Sequence, residues 1–374
     1  MKKLNSFISL KIRKLILIFI ELLGYRKINK NINLIKKNYN LAFIERKIQN
    51  KKKLIKLIKF VSENNKFYQN FFKKNNVKIS KIERDLKYFY EVPVLDKNYI
   101  INNYSEYIES FKDKKKFKVN TSGSTGKSFE YFIDENLKDR STAITAYSRF
   151  KIGKTFLDKE LHFASDFGQV KNIFFSIENF KNKLLNRKNI FYKFFDENLL
   201  FEFEKMNSLF RPKLVHAQPS ILNFIANESK KNNKKIQFDI FESSGELLSK
   251  SYKNNINKTF NCLIINRYGL AEFGVIAYQL NPLYEDLKIF DSSFWVESDS
   301  ENRIIVTDLE NYFSPLIRYC TGDLGDIEKK DDGVYIVNII GRQHHNLNYN
   351  GKILSTNYLM DTFEYVIGNI LDFQ

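Results

Sequence analysis

An α/β protein with a parallel sheet is what this sequence predicts, and three consecutive segments carry the prediction. A short apolar strand, Leu214 to Ala217, meets Pro219, which suits the first turn of a helix running to about Lys231. A second apolar strand, Ile236 to Phe241, precedes a helix after Leu247. A third, Cys262 to Asn266, completes a β-α-β-α-β order, which joins parallel neighbours through helical crossovers. Ligands of such sheets bind at loops leaving the carboxyl ends of strands. Ser243 to Glu246 and Arg267 to Glu272, both polar and glycine-bearing, are therefore the loops to examine.

The rest of the chain is arranged around that core. Up to about residue 115 the pattern is helical and lysine-rich, with Lys51 to Phe60 reading as a basic amphipathic helix. Pro93 breaks the chain, and Asp96 can cap a helix through the Tyr99 to Tyr107 region. From Val119 the character changes to a Gly/Ser/Thr loop, an alternating strand Phe129 to Ile133 and a helix near Leu137 to Phe150. Residues 152 to 205 are aromatic-rich, with no clean period. The C-terminal third reads as short strands, Arg303 to Thr307 and Val334 to Ile340, with turns at Asp332-Gly333 and Asn350-Gly351. No internal repeat is evident.

Composition excludes several classes. Of 374 residues 43% are apolar and 28% charged, with 35 Phe and 21 Tyr, which is ample for a core and unlike a disordered chain. Cys262 and Cys320 lack CxxC spacing, so neither a disulfide framework nor a zinc site is signalled, and both read as reduced, buried thiols. The net charge of +18 is uneven: residues 1–118 hold 30 basic and 10 acidic side chains, leaving the remainder close to neutral. That third faces nucleic acid, an anionic bilayer or only solvent. Nucleic acid ranks last, because no interleaved aromatic platform accompanies the charge. Lys2, Lys3, Lys11, Arg13 and Lys14 cluster around Leu4, Phe7, Ile8, Leu15, Ile18, Phe19 and Leu22 at helical spacing. The run is too short to span a bilayer and lacks a cleavage site. It fits a helix lying in a membrane interface, or equally a buried docking helix.

The loop Thr121-Ser122-Gly123-Ser124-Thr125-Gly126-Lys127-Ser128 packs hydroxyls and glycines so that backbone N–H groups and side chains can wrap a polyphosphate. A Walker loop needs Gly where Thr121 stands and a helix directly afterwards, whereas a strand pattern follows here. Four further motifs follow in order: Ser244-Gly245-Glu246; Tyr268-Gly269-Leu270-Ala271-Glu272; Arg318-Tyr319-Cys320-Thr321-Gly322-Asp323; and Gly341-Arg342. The ordered set, over about residues 85 to 355, resembles the AMP-forming, adenylate-forming superfamily. Val215-His216-Ala217-Gln218-Pro219-Ser220, Thr307-Asp308-Leu309 and Pro315-Leu316-Ile317-Arg318 resemble its branch with phenylacetate-CoA ligase and related capsular polysaccharide biosynthesis proteins.

The resemblance implies a large layered N-terminal domain of parallel sheets and helices: residues 1–118 as its basic helical region, 119–340 as its nucleotide-binding core, and 341–374 as hinge and incomplete C-terminal domain. It implies attack of a carboxylate on MgATP to form acyl-AMP, then transfer to coenzyme A, another thiol or a sugar, in the cytoplasm or peripherally at the inner face of the membrane. By the same likeness Thr121 to Lys127 hold phosphates, with Thr125, Lys127 and Glu272 acting at the reacting phosphates. Ser244, Gly245 and Glu246 line adenine, Tyr268 and Gly269 flank it, Glu272 holds Mg²⁺, and Asp323 and Arg342 reach ribose or phosphate. Two departures qualify this. His344 stands where relatives carry an Asp or Lys pivot, and about thirty residues follow the hinge, without the family's C-terminal lysine. The alternative is a weakly active nucleotide-binding remnant or membrane scaffold. His162, in Leu161-His162-Phe163-Ala164, has no assigned role.

Overall fold

Apolar strands alternating with capped helices build the central sheet of this protein, seen in a computed structural model that describes residues 10–23, 26–109, 111, 114–120, 130–165, 177–192, 195–342, 347–349 and 352–354. The N-terminal third is helical: α1 (Leu10–Leu22), α2 (Ile28–Tyr39), α3 (Phe43–Asn64), α4 (Lys66–Lys74), α5 (Ile79–Arg84), a 3₁₀ turn (Leu86–Glu91), α6 (Lys97–Asn102) and α7 (Tyr104–Glu109). A hairpin of β1 (Phe117–Asn120) and β2 (Glu130–Ile133) leads into α8 (Glu135–Lys151). Then come β3 (Glu160–Ser165), α9 (Ile177–Leu184), β4 (Arg187–Tyr192), α10 (Glu197–Phe210), β5 (Leu214–Ala217), α11 (Pro219–Lys231), β6 (Ile240–Ser243), α12 (Lys250–Phe260) and β7 (Leu263–Leu270). Short strands close the chain: β8 (Gly274–Tyr278), β9 (Leu287–Ile289), β10 (Phe294–Ser298), β11 (Arg303–Asp308), β12 (Tyr319–Lys330), β13 (Gly333–Arg342), β14 (Leu347–Tyr349) and β15 (Lys352–Leu354).

Local chemistry sets the helix starts. Asp134, Asp196 and Ser249 accept backbone N–H groups of Leu137, Leu199 and Tyr252 at 2.8, 3.0 and 3.1 Å, and Pro219 occupies the first turn of α11. Asp96 caps α6 as expected, at 2.7 Å to Tyr99. The helix expected through Tyr99 to Tyr107 is two short ones. Asn103 divides them, its side chain donating back to the Tyr99 carbonyl at 2.8 Å.

An 11-stranded sheet runs in the order β10-β11-β12-β13-β9-β8-β7-β6-β5-β3-β4. Its β4-β3-β5-β6-β7 half is parallel, as the crossover pattern requires, and the other half is antiparallel. Residues 152–205, unparsed in sequence, supply the edge pair β3 and β4. The strand expected from Ile236 begins only at Ile240: Ile236 and Phe238 are buried by packing against α10 and α12 residues rather than by ladder pairing.

The largest correction falls at Arg267 to Glu272. Its first part, Arg267 to Leu270, is the second half of β7, which leaves β6 after Asn266 and pairs antiparallel with β8, Arg267 opposite Tyr278, while Ala271 and Glu272 lie in the turn that follows. The strands come so close there that a Cβ on Gly269 would stand 2.2 Å from the Gly274 carbonyl oxygen, which only glycine tolerates. Cys320 is partly exposed rather than buried, and both cysteines are free thiols.

Two apolar cores result. One lies between the parallel strands and α10, α11 and α12. The other joins residues from Ile32 to Ile336, so the N-terminal helices pack on the antiparallel half. Three buried tyrosines lock this second core onto the segment 311–317. Tyr68 donates to the Pro315 carbonyl at 2.9 Å and accepts from the Ile317 N–H at 3.1 Å. Tyr107 and Tyr131 donate to the Ser314 carbonyl at 3.2 and 3.0 Å. Tyr68→Phe, which strands both buried groups, is expected to destabilise the chain by about 1–3 kcal/mol. A urea unfolding midpoint equal to that of the parent would show that this hydroxyl does not hold the segment.

Candidate functional site

The hairpin of β12 and β13 sets Asp323 directly opposite Arg342, and their side chains meet at 3.0 Å. Tyr268, brought from β7, donates its hydroxyl to the other Asp323 oxygen at 2.8 Å. Beneath them Thr321 accepts the Asp323 N–H at 3.1 Å and donates to the Ile304 carbonyl at 2.9 Å, which fixes the carboxylate's backbone. Three residues from separate motifs thus converge. Burial and the neighbouring Asp323 charge hold the Tyr268 hydroxyl well above its ordinary pKa, so it stays a donor.

Glu272 lies just past the end of β7 and is 9% exposed. It accepts from Tyr319 at 3.3 Å and forms no ion pair among the described residues. Burial raises its pKa, a shift opposed by the positive charges of Lys97 and Arg342. A buried carboxylate with no ion pair of its own among the described residues, its pKa raised by burial, fits a hard divalent cation. No cluster of three or more His, Cys, Asp or Glu occurs among the described residues, so such an ion would draw its other ligands from phosphate oxygens and water.

At the end of β6, Ser244 donates its N–H to the Ala217 carbonyl at 3.2 Å, and Gly245 adopts a φ of +89°. Glu246 accepts the Ser220 N–H at 3.2 Å in the first turn of α11. Arg318 is structural, bonding Glu297 at 2.5 Å and the carbonyls of Tyr90 and Val92, which ties the chain before α6 to the root of β12. The loop Thr121 to Ser128 lies outside the described residues, but β1 and β2 fix its two ends as neighbours, Asn120 opposite Glu130. His344 is likewise outside them.

Sequence reading missed a polar row on the α8 face of the parallel sheet. Arg149 of α8 grips Glu242 through Nε and Nη2 at 2.9 and 2.6 Å and Glu160 through Nη1 at 2.7 Å. Lys154 and Arg187 also reach Glu160, at 2.8 and 2.6 Å. His162 and His216 lie beside these carboxylates with ring centroids 4.7 Å apart, and burial lowers the pKa of both. The available signal was charged or imidazole residues set in the apolar strands: Glu160 and His162 in β3, His216 in β5, Glu242 in β6 and Arg267 in β7.

No family model matches the chain. It is 26% identical over 332 residues to Protein CapK of Staphylococcus aureus, spanning 84% of this chain and 72% of that protein. It is 25% identical over 174 residues to indoleacetate–lysine synthetase of Pseudomonas savastanoi, 46% of this chain and 44% of that protein. Among solved structures, 2-hydroxyisobutyryl-CoA ligase in the postadenylation state superposes with a TM-score of 0.70 at 14% identity, covering 88% of this chain and 74% of the ligase. Its open conformation gives 0.65, covering 85% and 80%. At that identity the likeness is one of fold.

Glu272 generates a pH prediction. Its folded-state pKa lies above the ordinary 4.5, so the folded chain holds the proton more tightly than the unfolded one. Stability is therefore lost as pH rises from the ordinary value through the raised one. Glu272→Gln is expected to melt higher than the parent at neutral pH, with the gap closing toward about pH 4. A gap independent of pH would show that the carboxyl is not strained by burial.

Proposed function

This chain has the fold of the adenylate-forming enzymes, and on that premise we propose that it activates a carboxylic acid with ATP and passes the acyl group to a thiol such as coenzyme A. The observation that carries the reading is the convergence of Tyr268, Asp323 and Arg342, with Glu272 buried nearby. Asp323 can trade its Tyr268 and Arg342 contacts for ribose hydroxyls, Arg342 can turn to ribose or phosphate, and Ser244 and Gly245 border the adenine. The loop from Thr121 to Lys127 is assigned to the phosphates by its sequence, with Thr125 and Lys127 at the reacting end. Glu272 would hold Mg²⁺, which when bound neutralises charge on the phosphate oxygens.

In the first step a carboxylate oxygen bonds to the α-phosphorus and the bond to pyrophosphate breaks. In the second, the thiol sulfur bonds to the acyl carbon, its proton is released, and AMP leaves with the bonding electrons. This chain's residues act chiefly by positioning and charge stabilisation. Two structures of the superposed ligase contain an acyl-AMP, one of them with CoA, which supports this order of events. The branch motifs of the sequence support use of the acyl group in surface polysaccharide biosynthesis, with a sugar as the acceptor.

Calorimetry and acid-dependent pyrophosphate release test the reading. Glu272→Ala and Asp323→Ala are expected to weaken Mg²⁺-dependent ATP binding about tenfold or more, since each removes a charged contact. Unchanged affinity in both variants would sink the site assignment. ATP binding without pyrophosphate release for any acid would instead favour the nucleotide-binding remnant.

The exposed face of α1 supports peripheral contact with an anionic membrane. Ile12, Leu15, Phe19 and Leu22 recur along it, Leu22 79% exposed, within the strongly basic third of the chain. No described helix is long and apolar enough to cross a bilayer. Each basic residue near an anionic surface contributes about 1 kcal/mol. Co-sedimentation with phosphatidylserine vesicles but not phosphatidylcholine vesicles is expected, lost on deleting residues 1–24. Equal recovery with both lipids refutes it.

A further inference from the structure

Strand pairing aligns His162 with His216 and His216 with Glu242. Arg267 lies two residues beyond Ile265, the partner of Glu242, and so falls on the same sheet face, nearer the carboxyl ends of the strands. Glu242 has little left to offer it. One of its oxygens accepts from Arg149 and Tyr278 at 2.9 and 2.7 Å, and the other from Arg149 at 2.6 Å, with His216 Nδ1 also 2.9 Å away. Arg267 Nη1 stops 3.7 Å short, its side chain 22% exposed. Its hydrogen bond is a single donation from Nε to Ser244 Oγ at 2.9 Å. Among the described residues no carboxylate comes within hydrogen-bonding distance of it.

Among the described residues the charges of the cluster do not balance. Arg149, Lys154, Arg187 and Arg267 gather around two carboxylates, Glu160 and Glu242. The imidazoles cannot offset this excess, since an imidazole is either neutral or positive, and burial keeps both toward the neutral form. A guanidinium largely removed from water with only a distant carboxylate is costly, and burial lowers the pKa of Arg267, against the pull of Glu242. Its terminal nitrogens form a planar fork matched to a carboxylate.

We propose that Arg267 receives a second carboxylate of the acid substrate, so that the substrate class is a short dicarboxylic acid. The assignment deepens the acid-activation reading and rests on it. Arg267 precedes Tyr268 in the chain and bonds Ser244, and both of those belong to the nucleotide constellation. A carboxylate on Arg267 therefore stands about one side chain from the nucleotide contacts, which suits a chain of a few carbons between the two acids. A monocarboxylic acid whose apolar tail reached Arg267 would instead leave its guanidinium desolvated without a carboxylate.

Succinate and butyrate, equal in carbon count, are the probes. Their binding to the full chain with ATP and Mg²⁺ is measured by calorimetry, and their turnover by pyrophosphate release. The parent is expected to favour succinate about tenfold or more, a preference that Arg267→Ala abolishes and Arg267→Lys partly keeps. Retained ATP affinity reports that both variants fold. Butyrate equal to or better than succinate in the parent, or a preference unchanged in Arg267→Ala, overturns the proposal. The two readings fail separately. Succinate binding that depends on Arg267 without pyrophosphate release from any acid removes acid activation and leaves the Arg267 assignment standing, whereas release with butyrate and not succinate does the reverse.

Discussion

The bidentate contact between Arg149 and Glu242 is the interaction around which the parallel half is built. Glu242 sits in β6 with no exposed surface, and Arg149 enters from α8, holding both of its oxygens and one of Glu160 on β3. One guanidinium thereby fixes a helix against two strands that have another strand between them. Removing one member of such a pair leaves a buried charge uncompensated, at a cost of about 3–5 kcal/mol. Glu242 can be carried inside β6 because α8 delivers its partner.

The second constraint is the change of partner along β7. Up to Asn266 it pairs parallel with β6, and from Arg267 antiparallel with β8. A strand that leaves its neighbour opens a crevice at that point, which is where sheets of this type bind ligands. Ser244 ends the strand left behind, while Arg267 and Tyr268 begin the diverging segment. The close approach of Gly269 to Gly274 is what makes the turn away possible. The antiparallel half then returns Asp323 and Arg342 to Tyr268 from far along the chain.

The N-terminal helices bear on the site through the segment 311–317. Tyr68, Tyr107 and Tyr131 hold that segment, Arg318 at its end fastens the chain before α6, and β12 then carries Tyr319 and Asp323 to their partners. Leu95 bonds both sides of the same root, donating to the Arg318 carbonyl and accepting from Cys320 at 2.8 and 2.9 Å. Covering the antiparallel half is thus part of positioning Asp323 and Glu272.

The sequence alone determined whatever depends on near neighbours. The β-α-β-α-β run with Pro219 in a first helical turn, the caps at Asp96 and the order of the five motifs are all local patterns, and they predicted the fold class and named Tyr268, Asp323 and Arg342. It could not show that β7 stays extended through Arg267, because pairing with β8 rather than propensity keeps it so. Nor could it show that Glu246 and Arg318, read as parts of ligand motifs, bond to α11 and to the chain before α6. Residues 152–205 gave no period because β3 and β4 are short and mix charges with apolar side chains. Tertiary structure alone decided the row of Glu160, His162, His216, Glu242 and Arg267. They come from four separate strands, Glu160 and His162 together in β3, and only lateral pairing of those strands, whose register no local signal encodes, sets them side by side.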